Sequence, residues 1–289
     1  MQLQPRYGDD PIITMHGPGS GVLEPAVRQR RRMAATLAGF DAEQWRHPSR
    51  CDGWSAREVV AHLDSTNSFW SFSISSALAG EPTRFLTDFD PVTSPPALIA
   101  GAAELGDEEL LARFNASTEA LATLLESLDE QGWQTLAEAP PGHISVAAVV
   151  HHALWDSWVH ERDVLVPLGL PPEVHDDEVA ACLRYAATLS PAFALSLGQS
   201  RTGRLAVAVT DPDLAFVVEV DGRAAVREAT SEADAESGAD AVLRGDAVEV
   251  LEGLSMRTPL TQQVPDAAAW LLRGLATVFD AAEDEAQPA

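Results

Sequence analysis

The sequence contains no lysine: all 19 of its basic residues are arginine. That absence removes whole mechanisms, because no Schiff base and no lysine-dependent phosphate loop can be built without a primary amine. Cysteine is nearly absent too. Cys51 and Cys182 are too few and too far apart for a disulfide framework, no CxxC occurs, and a reducing cytoplasm is the expected compartment. Positive charge is scarce relative to negative, 19 residues against 44, giving a formal net charge of -25 over 289 residues. Such a chain repels phosphate backbones and anionic lipid surfaces, so no nucleic-acid or membrane partner is expected. Uncharged apolar runs of about eighteen residues are missing as well. The first residues, "MQLQPRYGDDPIITMHGPGSG", have no apolar core of a signal peptide and read as a flexible leader, residues 1–23.

What is present falls into two textures. From residue 24 to 172, four segments carry helical spacing: "EPAVRQRRRMAATLAGF", "SAREVVAHLDSTNSFWSFSISSAL", "DEELLARFNASTEALATLLESL" and "SVAAVVHHALWDSWVHERDVLVPLG". Four helices predict a bundle. Ser55 with Glu58 forms a capping box, and Gly169 followed by Pro171 and Pro172 is a stop. From residue 173 to 289 the period changes. "GRLAVAVT", "LAFVVEV" and "AAVREAT", separated by "DPD" and "DGR", predict a small antiparallel meander, followed by helices near "DAVEVLEGL" and "PDAAAWLLRGLATVFD". The helical stretch from Glu178 to Leu197 could pack on either half. The fold class is therefore α+β, a helical bundle followed by a smaller α/β domain.

Two helices carry polar residues where apolar ones belong. His62 sits beside the face that Val59 and Leu63 should bury. In "HHALWDSWVHERDVLVPLG", His152, Asp156 and His160 follow one another at four-residue intervals and so share a face. Facing helices of a bundle build metal sites from such inward polar groups. His62, Asp156 and His160 would supply two imidazoles and a carboxylate, a set that holds a divalent ion and leaves a position open. Blander readings exist: a core-edge histidine at 62, and a hydrogen-bonded Asp156–His160 pair on a wet face. His152 reads as a supporting or structural residue. Asp163 beside Arg162 reads as a helix-end charge pair, or as the carboxylate that orients His160. Cys51, in a loop, has no base beside it in sequence and is expected to be dispensable, as is Cys182.

The segments "CDGWSAREVVAHL" and "WDSWVHERDVLVPLGL" together resemble the two signature segments of the mycothiol-dependent maleylpyruvate isomerase family, whose N-terminal domain is a DinB-like four-helix bundle. "AVLRGDAVEVLEGLSMR" is similar to that family's C-terminal α/β domain. The resemblance implies a divalent metal, usually zinc, on His62, Asp156 and His160, with Asp156 standing where the family has Glu. It implies mycothiol as cosubstrate and a small-molecule electrophile as substrate, with cis–trans isomerisation or S-transfer as the reaction. An anionic substrate would need a positive partner, and Arg257 is the residue expected to act catalytically in that way, with Arg84 as a second candidate. Arg257 would otherwise complement the C-terminus of its helix. The same ligands would also serve a hydrolase, and a closed coordination sphere would make the bundle a non-catalytic stress or ligand-binding protein. The expected assembly is a monomer or homodimer.

Overall fold

The computed structural model describes residues 3–91 and 93–286. Eleven α-helices occur among them: α1 (Leu23–Leu37), α2 (Ala42–Trp45), α3 (Ala56–Leu78), α4 (Ser94–Ile99), α5 (Asp107–Glu126), α6 (Glu130–Gln134), α7 (Val146–Leu165), α8 (Asp176–Ser196), α9 (Glu232–Glu236), α10 (Ala247–Leu254) and α11 (Trp270–Ala286). The strands are β1 (Ile13–Thr14), β2 (Leu136–Ala139), β3 (Gly142–Ser145), β4 (Thr202–Thr210), β5 (Leu214–Asp221), β6 (Ala224–Glu228) and β7 (Ala241–Asp246).

The four long helices predicted from spacing are α1, α3, α5 and α7, and they pack in a ring, α3 and α1 each touching both α5 and α7. Their ends are fixed by local chemistry. Glu58 Oε2 accepts the Ser55 N–H at 2.8 Å to start α3, and Ser145 Oγ accepts the Ala148 N–H at 3.2 Å to start α7. α7 is buried along most of its length because α1, α3, α8 and the β2–β3 hairpin surround it. Its polar residues therefore look into the protein, not into water.

β4, β5 and β6 form the expected antiparallel meander, but the sheet has five strands in the order β1-β6-β5-β4-β7. Its two outer strands run parallel to their neighbours: β7 along β4, and β1 along β6. β1 comes from the N-terminal segment, which was expected to be a flexible leader over residues 1–23; its described part, from residue 3, packs against the fold. Leu3, Ile12 and Ile13 are buried, and the Ala224 N–H donates to the Ile12 carbonyl at 2.8 Å. The same segment is stitched to the bundle side. Tyr7 Oη donates to Glu138 Oε1 at 2.6 Å, and the His143 N–H donates to the Arg6 carbonyl at 3.0 Å. Gly142, at φ 128°, lets the two backbones pass, since a Cβ there would strike the Arg6 carbonyl oxygen.

α8 packs on α1 and α7 of the bundle and also on α10, α11, β5 and β6, so the stretch that could have joined either half joins both. It is long and apolar enough to cross a membrane by length and hydropathy, yet 78% of that window is buried inside the molecule. Its apolarity is explained by its position between two layers.

Candidate metal centre

The capping box starts α3 so that His62 falls on its second turn, facing α7. The three side chains selected by spacing converge: one donor atom each of His62, Asp156 and His160 lies within 4.8 Å of the other two. His160 Nε2 is 3.5 Å from Asp156 Oδ1, and His62 Nε2 is 3.8 Å from Asp156 Oδ2. These separations are too long for good hydrogen bonds. They suit neighbouring ligands around an ion whose bonds are about 2.0–2.2 Å. The two imidazoles meet edge to face, ring centres 5.0 Å apart. All three side chains are mostly covered, at 13 to 17% exposure, and Trp54 packs 5.5 Å from the His62 ring.

One atom tests whether a cation fits. Asp156 Oδ2 is buried and has no hydrogen-bond partner, an expensive condition for a carboxylate oxygen unless something positive occupies the space in front of it. Burial would raise the Asp156 pKa, but the facing His62 and His160 rings outweigh it and hold the carboxyl well below its ordinary range. A carboxylate kept ionised and two imidazoles, one atom of each turned inward, fit a divalent ion of the zinc type.

Behind this trio stands a carboxylate with five donors. Asp163 is completely buried. Its Oδ2 accepts from His160 Nδ1 at 3.0 Å, Arg257 Nη2 at 2.8 Å and the Cys51 thiol at 3.2 Å. Its Oδ1 accepts from Arg257 Nε at 2.8 Å and Arg50 Nε at 3.0 Å. The hydrogen on Nδ1 fixes the His160 tautomer, so Nε2 carries a lone pair toward Asp156 once the ring is neutral. Without a cation in front, burial alone would lower the His160 pKa, yet Asp163, Cys51 and Asp156 raise it to about 10. Cys51, His160 and Asp163 also lie together as a second group of possible ligands. The arginines on Asp163 already fill that place.

Asp163 orients His160, as one of its two readings held, while Arg162 turns away to Glu252 at 2.6 Å. His152 is buried, with Nδ1 2.8 Å from the Tyr185 hydroxyl, among the rings of Trp70, Trp155 and Tyr185. Arg84 lies over the Tyr7 ring, apart from the trio. Arg257 is not at the end of a helix: α10 stops at Leu254, and Met256, in the left-handed region at φ 60°, turns the chain back. The Met256 N–H reaches the Gly253 carbonyl and the Arg257 N–H the Glu252 carbonyl, a Schellman closure. This turn aims the guanidinium at Asp163, and the remaining nitrogen, Nη1, donates to the Ser255 carbonyl at 3.3 Å. Arg257 thus reaches the centre through Asp163. The Cys51 sulfur has three polar neighbours that its sequence surroundings do not announce: Asp163, His160 and Arg257. The shortest of these contacts is to Asp163 Oδ2, at 3.2 Å.

Three groups escaped the sequence reading. Arg50 bridges Asp163 and Glu252, its Nη1 2.8 Å from Glu252 Oε2, and so ties the loop before α3 to α10. The Trp155 indole N–H donates to Ser255 Oγ at 2.9 Å, a second tie between α7 and α10. Arg30, buried to 3% exposure, donates to Asn67 Oδ1 at 3.0 Å and to the Ala153 carbonyl at 2.7 Å. Burial lowers its pKa to about 10, and Asp156 is the main charge opposing that shift. The run "RQRRR" gave no sign that its second arginine turns inward.

Residues 26–165 match the family described as the mycothiol maleylpyruvate isomerase N-terminal domain. Two solved structures are similar over 86% of this chain and 96% of their own, each with a TM-score of 0.59. They are the mycothiol-dependent maleylpyruvate isomerase, at 16% identity, and a histidine-to-alanine mutant of that enzyme, at 15%. At such identity the likeness establishes the fold. No protein with a curated description matches the sequence. The likeness to the mycothiol maleylpyruvate isomerase N-terminal domain family thus rests on residues 26–165, just under half of the chain.

Proposed function

We propose that this protein is a cytoplasmic metal- and thiol-dependent enzyme that uses mycothiol, or a thiol like it, for cis–trans isomerisation of a small electrophilic alkene acid. The family match and the shared fold support the mycothiol-dependent isomerase class. The observation that carries the metal is the buried, unpartnered Oδ2 of Asp156 between two inward imidazoles.

His62, Asp156 and His160 would hold the ion. When bound, a zinc-type ion supplies Lewis acidity that favours the thiolate form of a thiol near neutral pH. The chain supplies the rest. Asp163 holds the Nδ1 hydrogen of His160 and so fixes which ring nitrogen faces inward. Burial would raise the Asp163 pKa, but its bonds to His160 and Arg257 outweigh it and hold the carboxyl well below its ordinary range. Trp54 and the walls of the bundle limit the water around the trio. The Cys51 sulfur is engaged by Asp163 at 3.2 Å, and the nucleophile's role falls to the cosubstrate. The cosubstrate thiolate would add to the activated double bond, the new single bond would rotate, and elimination would return the thiol and release the isomer.

The test is to incubate zinc-loaded protein with maleylpyruvate, with and without mycothiol, and follow isomer and thioether by mass. Thiol-dependent isomerisation is expected. Turnover equally fast without thiol would refute the proposal.

A further inference from the structure

A second cleft lies at the other end of α7, between the N-terminal segment and the β2–β3 hairpin, with a volume of about 160 Å³. Its walls mix apolar Ile13, Met15 and Leu136 with polar His16, Gln134 and Ser145, and His151 lines it from α7. None of its lining residues is Asp, Glu or Arg. The His151 side chain is nine-tenths buried, and its Nδ1 lies 2.8 Å from the Ala147 carbonyl oxygen. A carbonyl can only accept, so Nδ1 carries the ring hydrogen and Nε2 is a bare acceptor. Among the described residues Nε2 has no protein partner. Burial, with Arg184 adding to it, lowers the His151 pKa to about 4, so the ring stays neutral at physiological pH.

This cleft is separate from the metal centre. His160 is nine residues further along α7, or roughly 13 Å at the helical rise. Asp156, five residues on, is turned about 140° around the axis from His151. The volume is close to the roughly 150 Å³ of cavities that take up benzene.

We infer that this cleft is a second small-molecule site, for a compact neutral ligand with an apolar ring and one O–H or N–H group that donates to His151 Nε2. Phenol is the simplest such probe. An anion finds no guanidinium in the lining, and a cation no carboxylate. A pure hydrocarbon would fill the walls but displace water from Nε2 without replacing its hydrogen bond, which costs binding.

The test compares phenol, anisole and benzene on the metal-loaded full-length protein, with affinity and position read from methyl shifts of Ile13 and Met15. Phenol should bind at least about tenfold more tightly than anisole, the equivalent of one hydrogen bond. His151→Phe should bring phenol and anisole to within about twofold of each other, while His62→Ala should leave the preference intact. Should His151→Phe fail to fold, the phenol-to-anisole ratio and the Met15 shift in the unaltered protein still decide. Equal binding of phenol and anisole, absence of saturable shifts at Met15, or loss of phenol binding in His62→Ala would overturn the inference.

Discussion

Arg257 closes its Nε and Nη2 on the two oxygens of Asp163, 2.8 Å to each, and Asp163 in turn holds Nδ1 of His160 at 3.0 Å. A residue 94 positions along the chain therefore sets the orientation of a proposed metal ligand. Replacing Asp163 by Asn removes the buried charge that two partly exposed guanidinium groups share. The expected outcome is a stability loss of about 3–5 kcal/mol, and a metal affinity lower by about 10- to 100-fold where the variant folds. Denaturant unfolding and zinc calorimetry measure the two effects separately. Unchanged metal affinity in a folded Asp163→Asn protein would show that His160 needs no such support.

The shorter carboxylate at 156 makes a second prediction. Asp156→Glu should keep one divalent ion per chain, because charge and ligand type persist. Asp156→Asn should lower affinity by at least about tenfold, since Asp156 Oδ2 has no other partner to justify its burial. Metal stoichiometry after dialysis distinguishes them. Tight binding by the Asn variant would place the ion elsewhere.

Cys51→Ser keeps a donor toward Asp163 Oδ2 and should leave both zinc binding and thiol-dependent turnover within about twofold. Cys182 is fully buried with its thiol pushed well above the ordinary pKa, so Cys182→Ala should likewise spare turnover. Steady-state rates with mycothiol check this. Abolished turnover in a folded Cys51→Ser protein would return the nucleophile to the chain.

His151 carries a pH signature. Its folded pKa of about 4 lies below the ordinary value of 6.5, so between those values the unfolded chain binds a proton that the folded chain excludes. Stability contributed by the neutral ring is therefore present above about pH 6.5 and lost as pH falls toward 4, at up to roughly 1.4 kcal/mol per pH unit. His151→Phe should flatten the unfolding free energy against pH in that window by up to this slope. Parallel curves for the two proteins would exclude a buried neutral imidazole at 151.

The trio was legible because helical spacing is local information. His62 beside Val59 and Leu63, and Asp156 four residues before His160, are visible without any knowledge of packing. What could not be read depends on contacts between distant segments. Arg50 and Glu252 are 202 positions apart, and nothing near either residue names the other. Arg257 was drawn into the helix because "GDAVEVLEGLSMR" keeps its period. The left-handed turn at Met256 uses a residue other than the glycine that signals such stops. β1 is two residues long, too short for a period of two to register, and it exists because β6 offers an edge to pair with. The β2–β3 hairpin hid in "LAEAPPGHIS" for the same reason.

The most direct test of the central claim is metal content. Purified protein exchanged against zinc and dialysed should carry about one divalent ion per chain, and His62→Ala, with helical content preserved by the apolar contacts of the bundle, should carry almost none. A His62→Ala protein that retains one ion per chain with undiminished affinity would contradict the metal centre described here.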